Sequence, residues 1–215
     1  ITWNNLYEKV CKLSNYLKKL SLKKGDRVAA YVPNKIETII SFLACAKNGI
    51  IWSSCSPDFG VQGVVDRFKQ IEPKVLITSD YYFYNGKKIN ILDKVDEVIK
   101  HIPSIEKVIV YSYYKKEKEN LKNFIDFEET LNIESDETFE RFEFNHPIYI
   151  LFSSGTTGKP KCITHGTGNV LIEHNKEFML HCDIRDNEKL FYYTTTGWMM
   201  WNWLVGGLAT GSSIF

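Results

Sequence analysis

Ile150-Leu151-Phe152-Ser153-Ser154-Gly155-Thr156-Thr157-Gly158-Lys159-Pro160-Lys161 carries an apolar run into a loop with two glycines, four hydroxyl residues and two lysines. Residues Ile148 to Phe152 have the character of a buried strand, so the loop is expected to open at a strand end. Gly155 and Gly158 permit positive φ and close backbone approach. Successive N–H groups can then converge on one anion, while the hydroxyls donate and Lys161 adds charge. An amphipathic helix is expected soon after, and strand, loop and helix in that order is a setting in which backbone amides hold phosphate. The same composition also serves ordinary surface loops, which is the competing reading. Two commoner phosphate loops fail on spacing. A Walker loop needs a second glycine five residues after the first, then Lys-Ser/Thr, and that position is Pro160. A dinucleotide fingerprint would need a glycine at Leu171 to complete Gly166 and Gly168.

Upstream, the chain alternates helix and strand signals. Leu6, Val10, Leu13, Leu17 and Leu20 recur at steps of four and three and predict an amphipathic helix capped near Thr2 or Asn4. Arg27 to Val32 reads as a strand, Ile36 to Asn48 as a helix stopped by Gly49, and Ile50 to Ser53 as a short strand. Ser56-Pro57-Asp58 marks a turn before a helix whose apolar face is Val61, Val64, Val65, Phe68 and Ile71. Val75 to Thr78 is the next strand, and Tyr81 to Lys88 around Asn85-Gly86 is a loop or hairpin. A helix at Leu92 to His101 and a strand at Lys107 to Tyr111 follow. This rhythm predicts an α/β fold, doubly wound, with mainly parallel sheets and flanking helices.

Residues 112–145 turn polar, with Lys115-Lys116-Glu117-Lys118-Glu119 and acids at Glu134, Asp136 and Glu137, so a solvated excursion is expected, with a short helix at Phe127 to Leu131. The expected division is a first βα subdomain over 1–111, the excursion over 112–145, and a phosphate-loop subdomain over 146–215. Downstream of the loop, a helix over Gly168 to Cys182, a strand over Leu190 to Thr194 and a helix over Trp198 to Leu208 are predicted. The last eighteen residues are apolar enough to raise a membrane span, against which stand Asn202, Gly206, Gly207 and Thr210.

With 44% apolar residues the chain can fill a substantial core, and a net charge of +1 gives no dedicated nucleic-acid surface. Cys11, Cys45, Cys55, Cys162 and Cys182 form an odd set without CxxC spacing, and no Asn-x-Ser/Thr sequon occurs. Together these point to a reducing compartment, and a cytoplasmic location is expected. No metal-ligand spacing is present, since His174, His181 and Cys182 fall in or beside one helix without an HExxH pattern. No Gly-x-Ser-x-Gly elbow supports a hydrolase.

The nine residues Ser153 to Lys161 resemble the signature loop of the adenylate-forming superfamily, which includes acyl-CoA synthetases, luciferases and peptide-synthetase adenylation domains. Many members carry Gly after Pro-Lys, where Cys162 stands here. Gly197-Trp198-Met199-Met200-Trp201-Asn202 and Ser56-Pro57-Asp58-Phe59-Gly60 through Phe68 are similar to the acetoacetyl-CoA synthetase branch. The resemblance covers essentially the whole chain, as part of the large N-terminal domain of such an enzyme. It implies a two-step reaction on small molecules: a short carboxylic acid, acetoacetate first among them, forms an acyl-adenylate with Mg2+-ATP, and coenzyme A then displaces AMP. By the same likeness Ser153, Ser154, Gly155, Thr156, Thr157, Gly158 and Lys161 would grip the ATP phosphates, with Lys161 and Thr156 the catalytic pair. Trp198, Met199 and Met200 would line the acyl space, though an aromatic run of this kind is also ordinary core. Lys87, with Lys88, would touch the CoA phosphates or be no more than turn lysines. His165 is a polar lining residue or a satisfied core histidine. The adenine-binding segment, the ribose-binding aspartate and a C-terminal domain with its lysine are expected outside these 215 residues, so the piece alone is expected to be inactive.

Overall fold

The computed structural model describes residues 1–114, 124–153 and 158–215. The first helix, α1 (Trp3–Lys19), starts where expected: the Thr2 side chain accepts from the Asn5 N–H, and Leu6, Val10, Leu13 and Leu17 are buried along one face. Its predicted apolar stripe lies against α2 (Ile36–Lys47), which ends at Gly49 in the left-handed region with φ +63. Between and after them run β1 (Arg27–Tyr31), β2 (Ile51–Cys55), α3 (Val61–Ile71) and β3 (Val75–Ser79). A hairpin of β4 (Tyr81–Tyr84) and β5 (Lys87–Asn90) turns on Asn85 and Gly86, both at positive φ. Then come α4 (Leu92–His101), β6 (Lys107–Tyr111), β7 (Ile125–Asp126), α5 (Phe127–Thr130) and β8 (Pro147–Phe152).

One seven-stranded sheet organises these elements, in the order β7-β6-β3-β1-β2-β8 and then a last strand, β9 (Cys162–Gly166). All neighbours are parallel except β8 and β9. Alternate residues go to opposite faces, as the two-residue period of a strand requires. Val28 and Ala30 face a core shared with α1 and α2, while Ala29 and Tyr31 face one shared with α3 and α4. Helices on both faces make the fold doubly wound. The chain leaving β1 turns to one face as α2, and the chain leaving β2 turns to the other as α3. A crevice therefore opens between the carboxyl ends of β1 and β2, the place where open α/β sheets receive ligands.

Two expectations need correction. The phosphate-loop strand runs not into a helix but into β9, so the loop joins two antiparallel strands; α6 (Thr167–Lys176) begins only afterwards and continues as a π-helical turn, Glu177–His181. The strand predicted over Leu190 to Thr194 is only β10 (Lys189–Leu190), which pairs with β11 (Ser213–Ile214). Residues 191–196 instead run irregularly to α7 (Met199–Gly206) and a 3-10 turn, Gly207–Thr210.

The polar stretch has the solvated character expected of it. Lys115 to Glu119 lie outside the described residues; 134–142 are largely exposed and are tied to α1 and α2 at a few points. Asn15 Nδ2 donates to Glu134 C=O at 2.9 Å, Lys18 Nζ meets Asp136 Oδ2 at 2.8 Å, and Lys47 Nζ donates to Thr138 C=O at 2.7 Å. Phe139 stacks on Tyr7 with ring centroids 5.9 Å apart. Long basic side chains whose stems lie along apolar surface make such contacts without charge burial on both sides. No helix among the described residues is long and apolar enough to cross a membrane.

Candidate functional site

The loop begins and ends on one pair of residues. Ser153 N–H donates to Lys161 C=O at 3.0 Å, and Lys161 N–H donates to Ser153 Oγ at 3.3 Å. These two contacts continue the β8–β9 ladder by one step beyond Phe152 opposite Cys162 and fix the mouth of the loop. Ser154, Gly155, Thr156 and Thr157 lie outside the described residues. Gly158 has φ +137, a conformation that side chains rarely adopt, and a Cβ there would meet nothing within 4 Å. Glycine is thus required by the backbone and not by crowding. Lys159 and Lys161 are exposed, and Lys161 forms no ion pair among the described residues. Its ammonium is available to an anion.

A second segment reaches the same edge of the sheet. Thr196 is buried in the crevice between β1 and β2: its Oγ1 donates to Val32 C=O at 2.6 Å, and its own C=O accepts from Ser54 Oγ at 2.6 Å. Tyr31 OH donates to the carbonyls of Pro57 and Phe59, tying the turn after β2 to β1. Because β8 is parallel to β2, with Trp52 opposite Tyr149, the mouth at Ser153 lies at this same carboxyl edge. The sequence reading missed Ser54, Tyr31 and Thr196, which carry no local signal; they act through partners up to 164 residues away.

Along α7 the aromatic run divides by face. Trp201 is fully buried, stacks on Trp52 at 6.4 Å, meets Phe42 edge-on at 6.0 Å, and donates its indole N–H to Asn34 Oδ1 at 2.9 Å. That residue is core. Trp198 and Met199, by contrast, are 61% and 51% exposed, and Met200 is half-buried. Large apolar side chains held at a strand-end crevice but left open are the material of a binding surface.

His165 lies further along β9. It faces Tyr149 across the β8–β9 ladder, ring centroids 4.9 Å apart, four residues beyond Lys161 and so about 13 Å along the strand from the loop mouth at roughly 3.3 Å per residue. Burial lowers its pKa below the ordinary histidine value and pushes the Tyr149 phenol up to about 12. Both are therefore neutral near pH 7. Lys87 opens β5 beside the Asn85–Gly86 turn and is exposed, while Lys88 sits over the Tyr81 ring at 4.0 Å. The structure thus brings Ser153 and Lys161 together with Gly158 close by in sequence, sets the Trp198–Met200 segment at the same sheet edge, and puts His165 further along β9 and Lys87 on a separate hairpin. All five cysteines are free, and no three His, Cys, Asp or Glu side chains among the described residues are grouped to hold a metal.

Comparison with known proteins gives the family and the fold. The profile of the AMP-binding enzyme family matches residues 1–214. The acetoacetyl-coenzyme A synthetase of Rhizobium meliloti is 48% identical over 218 residues, covering all of this chain and 33% of that protein. The acetoacetyl-CoA synthetase of Gallus gallus is 44% identical over 223 residues with the same coverage. The solved acetoacetyl-CoA synthetase from Streptomyces lividans superposes with a TM-score of 0.95 at 42% identity, over 100% of this chain and 33% of that one. The chain spans about a third of the length of the relatives it matches.

Proposed function

The chain belongs to the AMP-binding enzyme family, and from that premise we propose that the longer protein it is part of activates acetoacetate, with Mg2+-ATP and coenzyme A, to its CoA thioester. The acid's carboxylate attacks the α-phosphorus, the bond to the β-phosphate oxygen breaks, and pyrophosphate leaves. In the second step the CoA thiol attacks the acyl carbon and AMP departs. The first step moves negative charge onto the departing β- and γ-phosphates, and fixed donors placed there lower its barrier.

The observation that carries this reading is the loop mouth: Ser153, through its N–H and its Oγ, takes both backbone groups of Lys161 while the Lys161 ammonium stays unpaired among the described residues. Ser153, Ser154, Gly155, Thr156, Thr157 and Gly158 are assigned to the β- and γ-phosphates as N–H and hydroxyl donors. Lys161 is assigned as the point charge that stabilises the leaving pyrophosphate, and Thr156 as the second catalytic residue. Magnesium enters as part of the ATP substrate.

Trp198, Met199 and Met200 are assigned to the acyl group, because they follow Thr196 directly out of the crevice. Acetoacetate as the acid rests on the relatives named above. Lys87 is assigned to the phosphates of CoA, which its exposed position on a hairpin permits, and His165 to the polar surround of the site. Five free cysteines favour a cytoplasmic location.

In the longer protein, Lys161→Ala is expected to lower acetoacetate-dependent ATP–pyrophosphate exchange by about 100-fold or more, the usual cost of losing one preorganised donor. Exchange at the wild-type rate would overturn the assignment. A higher kcat/KM for acetate or propionate than for acetoacetate would replace the acid and leave the chemistry standing.

A further inference from the structure

We infer that Gln70 is a positioning residue for Lys161, a role that rests on the phosphate reading of the loop. Gln70 lies on α3 but off its packed face, where Val64, Val65, Phe68 and Ile71 are buried. The residue is exposed, so core packing gives no account of what its side chain does. Its Nε2 donates to Pro160 C=O at 2.8 Å, across 90 residues of sequence, and to Asp66 C=O at 2.7 Å on its own helix. Its Oε1 accepts from the Cys162 thiol at 3.7 Å.

Pro160 and Cys162 are the two neighbours of Lys161. One carboxamide therefore straddles the lysine from the helix side, while Ser153 takes both backbone groups of Lys161 from the strand side. Pro160 has no N–H to donate, so it is through its carbonyl that a side chain can hydrogen-bond its backbone. The helix that supplies the tether is itself anchored by four buried side chains. The consequence is a lysine whose backbone is held from two directions and whose ammonium is left for the ligand. A charge fixed in place before the phosphates arrive stabilises them without reorganisation. Cys162 supplies the second contact where many adenylate-forming enzymes have glycine, so in this chain the tether is two-pronged.

The test uses the longer protein with Gln70→Ala, Lys161→Ala and the double variant, and follows ATP–pyrophosphate exchange with melting temperature. Gln70→Ala is expected to raise KM for MgATP by about two- to tenfold, the range of one exposed hydrogen bond. KM for the acid and the melting temperature should stay at wild-type values. The double variant should be no slower than Lys161→Ala alone, because a residue acting through Lys161 has nothing left to position. If Gln70→Ala fails to fold, Gln70→Met is read in the same way. Wild-type KM for MgATP in the Gln70 variant, or additive losses in the double variant, would overturn the inference while Lys161→Ala remains impaired. A wild-type Lys161→Ala would instead overturn the phosphate reading beneath it.

Discussion

Gly197→Ala tests how tightly the Thr196 segment is seated against the turn that follows β2. A Cβ on Gly197 would lie 2.8 Å from Phe59 Cε2 and 3.2 Å from the backbone N of Ser56. The Phe59 ring has little room to yield, because the Arg67 guanidinium sits over it at 4.5 Å and its own carbonyl is held by Tyr31 OH. Ser56 N belongs to the main chain and moves only if the turn moves. Against this, Gly197 is absent from the positive-φ positions, so alanine fits its backbone and gains about 0.4–1 kcal/mol by restricting the unfolded chain. Overpacking costs about 1–3 kcal/mol, so the steric term wins and a net loss of about 1–2 kcal/mol is expected. The displaced segment leads straight into Trp198, Met199 and Met200. Thermal unfolding of the longer protein should show a lower melting temperature, and initial rates should show KM for the acid rising more than KM for MgATP. Unchanged melting and unchanged kinetics together would refute the reasoning, because they would mean that the crevice admits a methyl group without adjustment.

Three further outcomes follow from the packing. Trp201→Phe keeps a ring against Trp52 but removes the donor to Asn34 Oδ1, and should cost about 1–3 kcal/mol; Trp201→Ala should cost about 3–5 kcal/mol, and equal denaturant midpoints for the two would contradict this account. Lys47→Met keeps the buried stem but removes the bond to Thr138 C=O and the cation over the Phe139 ring at 4.8 Å. Limited proteolysis should then cut faster within 134–142, with little change in the core's melting; an unchanged cleavage rate would show that the stretch is held by other contacts. His165 and His174 both have pKa values lowered by burial, with the neighbouring His165 adding to the effect on His174 and Glu173 opposing it. The unfolded chain therefore binds more protons below about pH 6.5, and stability present above that pH is lost as pH falls through the folded-state values. A His165→Gln, His174→Gln variant should show a shallower fall of urea midpoint between pH 7 and pH 5; a steeper fall would reverse the sign argued here.

The sheet was legible because its strands are buried on both faces and its helices carry clean stripes. Val64, Val65, Phe68 and Ile71 announced α3, and Leu92 to His101 and Lys107 to Tyr111 were found at the residues where they occur. β9 was not, for a physical reason. It is an edge strand paired only with β8, and Cys162, Ile163 and Thr164 are exposed, so neither alternation nor an apolar run marks it. The opposite error at Leu190 to Thr194 arose because Phe191, Tyr192 and Tyr193 look like strand residues yet are exposed and unpaired in the main sheet. At the candidate site, the loop residues Ser153, Gly158 and Lys161 stand out in the sequence by composition alone. The tertiary handles do not, since Ser54 on Thr196, Asn34 on Trp201 and Gln70 on Pro160 join residues that no local pattern connects.

The central claim is that residues 153–161 hold the triphosphate of ATP. A crystal structure of the longer protein with a non-hydrolysable ATP analogue and magnesium measures this directly. β- and γ-phosphate oxygens within hydrogen-bond distance of the loop's N–H groups and of Lys161 Nζ are the expected result. Phosphates bound at another part of the carboxyl edge, with Lys161 Nζ still facing solvent, would contradict it.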